Sequence, residues 1–324
     1  MTISLATTYL GLELPSPLVV GAAAPLSTDL ARLQTLGHEG AGAVVLHSLF
    51  IEQIERDWQE WMHHQEHRRE SHPEALSYVP ASTPIHLGLE GYLEEIRRAR
   101  EALQIPVIAS LNVSHSGHWS EAAQAIELNL YSVPCDIKRS SAELEAEQLA
   151  IVRQVCSAVS LPVAVKLSPF YTALAALAEG MQQAGASGLV LFNRFLQPLV
   201  DIDTLDTDVH LQLSHPEEQR LPLRWIALLH GRVGLELAAS TGITSGRDVV
   251  RMLMVGAQIT QVVGALLRHG PGQLAKMRGE LLQWLADHDE RDLNNLRGSL
   301  SQQRCPNPEA FERAQYLRAL SSYP

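Results

Sequence analysis

Short apolar runs rich in Val, Ile, Leu and Ala recur along the chain, and longer amphipathic stretches separate them. Eight such runs occur, at residues 18–22, 43–46, 107–111, 125–130, 163–167, 188–192, 234–238 and 258–263. Parallel strands that are buried on both faces are typically continuous apolar runs without strict alternation. Eight strands that alternate with helices favour closure into a barrel. The sequence therefore predicts an α/β fold, a (β/α)8 TIM barrel, with further N-terminal strands and C-terminal helices packed on it.

Helix ends are marked by proline and by acidic first turns. The segments 93–103 and 141–159 stop before Ile105-Pro106 and Leu161-Pro162, where proline disfavours continuation of a helix. Helices are also predicted over 172–184 and 245–255. In the tail, residues 287–324, helical stretches are expected at 289–297 and 309–320, packed on the barrel. No composition shift marks a boundary, so residues 1–324 are predicted to form one domain.

Composition and charge exclude several classes of protein. The formal net charge of -11 argues against a nucleic-acid partner, which would require clustered Lys and Arg. The three cysteines, Cys135, Cys156 and Cys305, lie far apart, show no metal-binding spacing and are typical of a reducing cytosol. No apolar run approaches the ~18 residues of a membrane span, and no targeting segment is evident at the start. A cytoplasmic protein without a membrane partner is predicted.

Two long connections follow predicted strands, at residues 48–91 and 194–221. Loops at the carboxyl ends of barrel strands build the active site, so both are expected to be functional. His63 and His67 in the first connection have the i, i+4 spacing of metal ligands. No further ligand stands at an obvious spacing, and a solvated charged helix explains the composition, so no metal site is predicted.

Glycine-containing turns after the last two predicted strands are candidates for phosphate binding. They are residues 239–243, Ala-Ser-Thr-Gly-Ile, and residues 263–265, Val-Gly-Ala. Barrels often bind phosphate at this place through backbone N–H groups. Tight strand-to-helix turns would account for the same glycines equally well.

Lys166, Asn129 and Asn193 stand at or beside the ends of apolar strands, where polar side chains need partners. All three are expected at the barrel mouth. For Lys166 a structural ion pair with a carboxylate and a Schiff-base nucleophile remain alternatives. For the two asparagines the alternative is local loop bonding or turn capping.

The chain resembles the dihydroorotate dehydrogenase family over nearly its full length. The resemblance is carried by Gly21-Ala22-Ala23-Ala24 after the first strand, by Glu127-Leu128-Asn129-Leu130, by Val165-Lys166-Leu167-Ser168-Pro169, by the segment 241–248 and by Gly256-Ala257 before the last strand. It implies an oxidoreductase that passes hydride between a small cyclic amide or carboxylate and flavin mononucleotide (FMN). It also implies a homodimer and a role in pyrimidine biosynthesis.

The resemblance also implies a set of site residues. The flavin ring is expected near Ala22, Ala23, Ser48, Asn129 and Lys166, and its phosphate near Thr241, Gly242, Gly264 and Ala265. Asn129 and Asn193 would bind substrate, and Lys166 would stabilise the negative charge of the reduced flavin. Ser132, three residues after Asn129, would be the base that removes a proton from the substrate.

Departures from the family pattern leave the substrate open. Proline follows Ser132 one residue late, so a plain loop hydroxyl is an equal interpretation of Ser132. His47 stands where dihydroorotate-specific members often carry lysine, and it is a candidate substrate ligand or a core histidine. Thr241 and Ala265 replace residues usual in the family. A soluble electron acceptor or a separate redox partner is implied. The alternatives are an aldolase-like barrel that uses Lys166 and a flavin-binding barrel without turnover.

Overall fold

Eight parallel strands close into a barrel in the computed structural model, which describes residues 3–50, 89–112, 122–194, 197–208, 212–312 and 320–321. In chain order the strands are β1 (Thr7–Tyr9), β2 (Leu12–Leu14), β3 (Leu18–Val20), β4 (Ala43–Phe50), β5 (Val107–Asn112), β6 (Ala125–Leu130), β7 (Val163–Leu167), β8 (Gly188–Leu191), β9 (Leu199–Asp201), β10 (Asp206–Asp208), β11 (Glu236–Ala239) and β12 (Ile259–Val262). The barrel runs β3-β4-β5-β6-β7-β8-β11-β12 and closes between β12 and β3. Each predicted apolar run overlaps one of these strands, so the predicted barrel is confirmed.

Helices follow every barrel strand except β5, after which the described residues contain none. They are α1 (Ala24–Ser27), α2 (Leu30–His38), α3 (Leu89–Ala102), α4 (Ser141–Ala158), α5 (Leu174–Gln183), α6 (Arg220–Leu229), α7 (Gly246–Val255), α8 (Gly264–His269) and α9 (Gln273–Asp287). The four helices predicted within the barrel are confirmed, with ends shifted by a few residues. Helix α4 begins with a capping box in which Ser140 and Glu143 satisfy each other's backbone N–H groups.

The hairpin β1–β2 covers the amino-terminal end of the barrel. Tyr9 and Leu10 are buried and pack against interior side chains that include Ala125, Ala164 and Ala238. The backbone N–H of Leu10 donates to the carboxylate of Glu236, at the start of β11, at 2.6 Å. Small side chains from the strands leave room that the hairpin fills, since protein interiors are close-packed. This end is sealed, so a ligand must enter at the carboxyl ends of the strands.

The helix expected over residues 289–297 is wrong, because residues 292–304 form a run of bends and turns. Their backbone donors bond to other elements: Gly298 N–H donates to Leu253 O at 2.9 Å, and Leu300 N–H donates to Met254 O at 2.8 Å. These carbonyls lie in the last turn of α7, where a helix has no internal donors to offer. Two backbone donors of this segment are thus used for α7, although the N–H of Arg297 still donates to Leu293 O at 3.0 Å. Of the second expected stretch, 309–320, only a 3-10 turn at Pro308–Phe311 is described as an element, and residues 313–319 lie outside the described residues.

The two long connections differ in what the structure describes. Strand β4 continues to Phe50, and residues 51–88, with His63 and His67, lie outside the described part of the chain. The second connection contains the antiparallel hairpin β9–β10 and a 3-10 turn at Pro216–Gln219. Its residues Gln212, Leu213 and Ser214 reach the barrel mouth, where they line a cavity.

Candidate functional site

A cavity of about 350 Å³, here called the rim cavity, opens at the carboxyl ends of β3, β7, β8, β11 and β12. Eight of the residues predicted for the site line it, namely Ala22, Ala23, Lys166, Asn193, Thr241, Gly242, Gly264 and Ala265. They come from five separate turns or strands, and parallel strands bring these together because their carboxyl ends meet at one face of the barrel. The structure therefore assembles most of the predicted site around one space.

Lys166 is tied to two other buried side chains at the base of the rim cavity. Its ammonium donates to Glu127 Oε1 at 3.0 Å and to Gln261 Oε1 at 3.0 Å. The three residues expose only 1% (Glu127), 2% (Gln261) and 6% (Lys166) of their surface. Gln261 Nε2 also donates to Glu127 Oε2. The ion pair left open by the sequence is thus present, and Lys166 nevertheless lines the cavity.

Glu127 and Gln261 are functional candidates that the sequence analysis did not identify. A signal for both was available, because each is a polar residue within an otherwise apolar strand, and a buried polar group requires a partner. The sequences of the strands do not reveal which residue is the partner of each, since 39 and 95 residues separate Lys166 from the two side chains that it contacts.

Asn129 and Asn193 contact each other. The Asn193 Nδ2 group donates to Asn129 Oδ1 at 3.0 Å. Asn193 lines the rim cavity, whereas Asn129 lines a second space of about 420 Å³, the loop cavity, between the segment that follows β6 and helix α4. The pair therefore stands at the border of two cavities, with amide groups available to both.

Ser132 lies on the exposed segment after β6 and lines the loop cavity together with Asn129 and Cys135. Its assignment as a base stays a prediction. Arg139, in the same cavity wall, is already paired with Glu147 at 2.6 Å.

Ser48 faces the barrel interior, and its hydroxyl lies 2.8 Å from the hydroxyl of Ser110 on β5. Strand β4 has a register shift against β5 between Val45 and Ser48. The shift brings Ser48 to the inner face, and Ser48 does not line the rim cavity. Its predicted contact with the flavin ring is a proposal that rests on this inward orientation.

His47 does not join the site residues. Its ring contacts Ser27 in α1 at 3.3 Å and Glu95 in α3 at 3.5 Å, so it faces the helical layer outside the barrel. Burial lowers the pKa of His47 and raises the pKa of Glu95 to about 7, against a smaller opposing effect of Arg98 on Glu95. Strict alternation along β4 would direct the His47 side chain into the barrel. The register shift between Val45 and Ser48 directs it outward instead.

The turn after β11 has the geometry of an anion site. Thr241 and Gly242 have φ values of 78° and 75°, and the Thr241 hydroxyl donates to Phe192 O at 3.0 Å. A β-branched residue at positive φ is strained, and such strain persists where the surroundings enforce it, often at ligand sites. Within the described residues, the backbone N–H groups of Thr241, Gly242 and Ile243 donate to no protein oxygen. These donors remain available to an oxyanion.

Gly242 and Gly264 are glycines for different reasons. A Cβ at Gly242 would lie 2.6 Å from Gln219 N, so the protein's own packing requires glycine there in addition to its positive φ. A Cβ at Gly264 would meet nothing closer than 3.7 Å. A methyl group at Gly264 would thus make ordinary van der Waals contact with Ser214 and Leu213, so the protein's own packing does not require glycine at this position in the wall of the rim cavity.

Asp248 holds the segment from Thr244 onward in place. Its Oδ2 accepts from the backbone N–H and the hydroxyl of both Thr244 and Ser245 at 2.9–3.0 Å, and its Oδ1 accepts from Gln219 Nε2 at 2.9 Å. Burial acts to raise the pKa of Asp248, but the hydrogen bonds from Gln219, Thr244 and Ser245 outweigh it and hold the pKa below its ordinary value. The wall of the rim cavity is therefore rigid before any ligand binds.

The Asp248→Asn variant is expected to lose about 2–4 kcal/mol of unfolding free energy at pH 7, because hydrogen bonds to a charged acceptor contribute about 1.5–3 kcal/mol each. A depressed carboxyl pKa stabilises the fold above the unfolded-state pKa, and this contribution falls as the pH drops through the folded-state pKa. The difference from the wild type should therefore shrink below about pH 4. Chemical denaturation at several pH values measures it, with the exposed Asp203→Asn as control. A difference independent of pH would contradict this role.

The described residues provide neither a metal site nor a membrane-spanning helix. Among the described residues there is no group of three or more His, Cys, Asp or Glu side chains that could hold a metal ion. None of the described helices is long and apolar enough to cross a membrane.

Comparison with known proteins adds independent evidence. The family model for dihydroorotate dehydrogenase matches residues 85–285, which include β5 to β12 and the rim cavity except for its β3 side.

The catalytic subunit of dihydroorotate dehydrogenase B (NAD(+)) from Thermoplasma volcanium is 27% identical over 314 residues, 91% of this chain and 97% of the relative. The same subunit from Desulforudis audaxviator is 29% identical over 227 residues, 65% of this chain and 73% of the relative. Dihydroorotate dehydrogenase A (fumarate) from Limosilactobacillus reuteri is 30% identical over 194 residues, 55% of this chain and 62% of the relative. With more than half of its length matched by the family model, and with the barrel closed as that resemblance implies, the chain belongs to the dihydroorotate dehydrogenase family.

Proposed function

We propose that the rim cavity binds FMN and that the protein is an FMN-dependent oxidoreductase acting on dihydroorotate or a related small cyclic amide or carboxylate. Family membership makes the protein an oxidoreductase. The observations that carry the cofactor are the rim cavity of about 350 Å³ and, in its wall, a turn whose N–H groups have no protein acceptor among the described residues. Both features fit a phosphate group.

Different residues of the rim cavity would bind the phosphate and the ring of the cofactor. The phosphate would be held by the backbone of Thr241, Gly242, Gly264 and Ala265. The ring would lie toward Ala22, Ala23 and Lys166, with Ser48 and Asn129 beside it. FMN when bound supplies the acceptor for a hydride from the substrate. Lys166 would donate to the pyrimidine edge of the ring, where a fixed buried donor would stabilise negative charge without reorganising.

The substrate would meet the amide groups of Asn129 and Asn193. Their mutual hydrogen bond uses one donor of Asn193 and one acceptor site of Asn129, so each amide retains groups for a ligand. An amide or carboxylate substrate matches this mixture of donors and acceptors. Ser132 on the segment above the loop cavity remains the proposed base. His47, which faces away from the mouth, has no part in the proposed substrate site.

The electron acceptor is proposed to be a soluble compound or a separate redox partner, and the assembly a homodimer. The relatives differ in this respect, since their names specify NAD(+) in one group and fumarate in another.

An aldolase-like role for Lys166 is disfavoured by the geometry. A Schiff base requires the neutral amine, which would leave the buried Glu127 carboxylate without its counter-charge. A flavin-binding barrel without turnover would use the same cavity. Only a test of whether a substrate reduces the bound flavin distinguishes this alternative from an enzyme.

The purified protein is expected to be yellow and to release FMN on denaturation, identified by chromatography and fluorescence. Borohydride in the presence of carbonyl substrates should form no adduct on Lys166. Dihydroorotate and related cyclic amides should bleach the flavin absorbance under anaerobic conditions. A colourless protein that does not take up added FMN would overturn the proposal, and a yellow protein that no compound of this class bleaches would favour a barrel without turnover.

A further inference from the structure

Three buried side chains form a closed ring of hydrogen bonds, here called the buried triad: Glu127, Lys166 and Gln261. A lysine could line a cavity wall without two such partners. The three side chains come from β6, β7 and β12, and each is bonded to the other two. Two of the three N–H groups of the ammonium are used inside the triad. One N–H remains, and Lys166 lines the rim cavity.

The triad carries no net charge when Glu127 is ionised and Lys166 is protonated. Both groups are almost completely buried, where charges interact strongly because solvent does not screen them. The carboxylate therefore offsets much of the positive potential that Lys166 would otherwise present to the cavity. Gln261 accepts from the ammonium and donates to the carboxylate, so it fixes the orientation of both.

We infer that Glu127 and Gln261 are positioning residues that hold the Lys166 ammonium at the rim cavity and set how much positive charge it presents to a bound flavin. This inference rests on the proposed binding of FMN. In this role the Glu127 carboxylate reduces the positive potential that Lys166 exerts on the flavin ring. Lys166 then acts on the ring mainly as a directed hydrogen-bond donor.

The consequence concerns the reduction potential. A flavin that takes up a hydride gains two electrons and one proton, so its ring system gains negative charge, which a nearby cation stabilises. Removal of the Glu127 charge leaves the cation unopposed and should favour the reduced flavin. Removal of the Lys166 charge leaves the carboxylate unopposed and should disfavour it. Removal of both should cancel most of either effect.

The test is the midpoint potential of bound FMN in the holoprotein, measured by photometric titration against reference dyes. For Glu127→Gln we expect a rise of about 30 mV, equal to a tenfold tighter relative binding of the reduced flavin in a two-electron couple. For Lys166→Met we expect a fall of at least that size. The double variant Glu127→Gln/Lys166→Met should lie closer to the wild type than either single variant. A Gln261→Leu variant should change the potential while retaining both charges.

A merely structural triad would lower the stability of each variant but would not move the potentials of the two single variants in opposite directions. Equal potentials in the wild type and Glu127→Gln, or a shift of the same sign in both single variants, would overturn the inference. If Glu127→Gln does not fold, Glu127→Asp, which keeps the charge but shortens the side chain by one methylene, should give a smaller rise. Failure of the wild type to bind FMN would instead refute the proposed function, so the two failures are distinguishable.

Discussion

The Lys166→Met variant is expected to lose about 3–5 kcal/mol of unfolding free energy, the usual effect of removing one partner of a buried ion pair. The loss arises because the carboxylate of Glu127, a residue with 1% of its surface exposed, would be left without the ammonium that contacts it at 3.0 Å. Chemical denaturation of the cofactor-free protein measures it, so the result does not depend on the function.

Two further variants make this result specific to the ion pair. The double variant Glu127→Gln/Lys166→Met should recover most of the lost stability, because it leaves no unpaired buried charge. Lys276→Met removes an exposed lysine of α9 and should change the stability by less than about 0.5 kcal/mol. A loss below about 1 kcal/mol for Lys166→Met, or a double variant no more stable than the single one, would show that the pair is not buried and coupled as described.

The Gly264→Ala variant is expected to fold like the wild type and to bind FMN about 100-fold more weakly, equal to about 2.7 kcal/mol of binding free energy. The added methyl group would meet no protein atom closer than 3.7 Å, so the fold has no reason to suffer. It would occupy the space proposed for the phosphate. Thermal melting of the cofactor-free protein and titration of FMN by fluorescence quenching measure the two effects separately.

The matched control for Gly264→Ala is Gly272→Ala, at the start of α9. An added Cβ there meets nothing within 4 Å, and Gly272 does not line the rim cavity. It should leave both stability and FMN affinity nearly unchanged. Unaltered FMN affinity in Gly264→Ala would exclude a phosphate beside this glycine, even if the protein proved to be a flavoprotein.

Family resemblance and local chemistry together located much of the candidate site. Lys166 and Asn193 could be placed at the mouth because each is a polar residue at or beside the end of an apolar run, and a parallel barrel collects such ends at one face. The turns around Gly242 and Gly264 could be identified in the same way. The room for a methyl group at Gly264 and the packing requirement at Gly242 were beyond the sequence, because they depend on which distant atoms surround each glycine.

The orientation of His47 and the conformation of the tail differ from expectation, and in both cases the physical reason is not local. His47 faces Ser27 and Glu95 because the pairing of β4 with β5 shifts register before Ser48, and alternation along a single strand cannot reveal a shift against its neighbour. Residues 292–304 form bends and turns, and two of their backbone donors, those of Gly298 and Leu300, cap α7, an outcome set by tertiary packing and not by helix propensity.

By itself, the sequence determined the number and order of the barrel strands, since burial on both faces leaves continuous apolar runs that recur with the helices between them. It also determined that a lysine would stand near the mouth. Only the tertiary structure decided that Lys166 pairs with Glu127 and Gln261, because closure of the barrel brings together side chains that lie 39 and 95 residues away from it in the chain. Periodicity is a property of each strand alone, whereas the partner of a buried charge depends on how the strands are registered against one another.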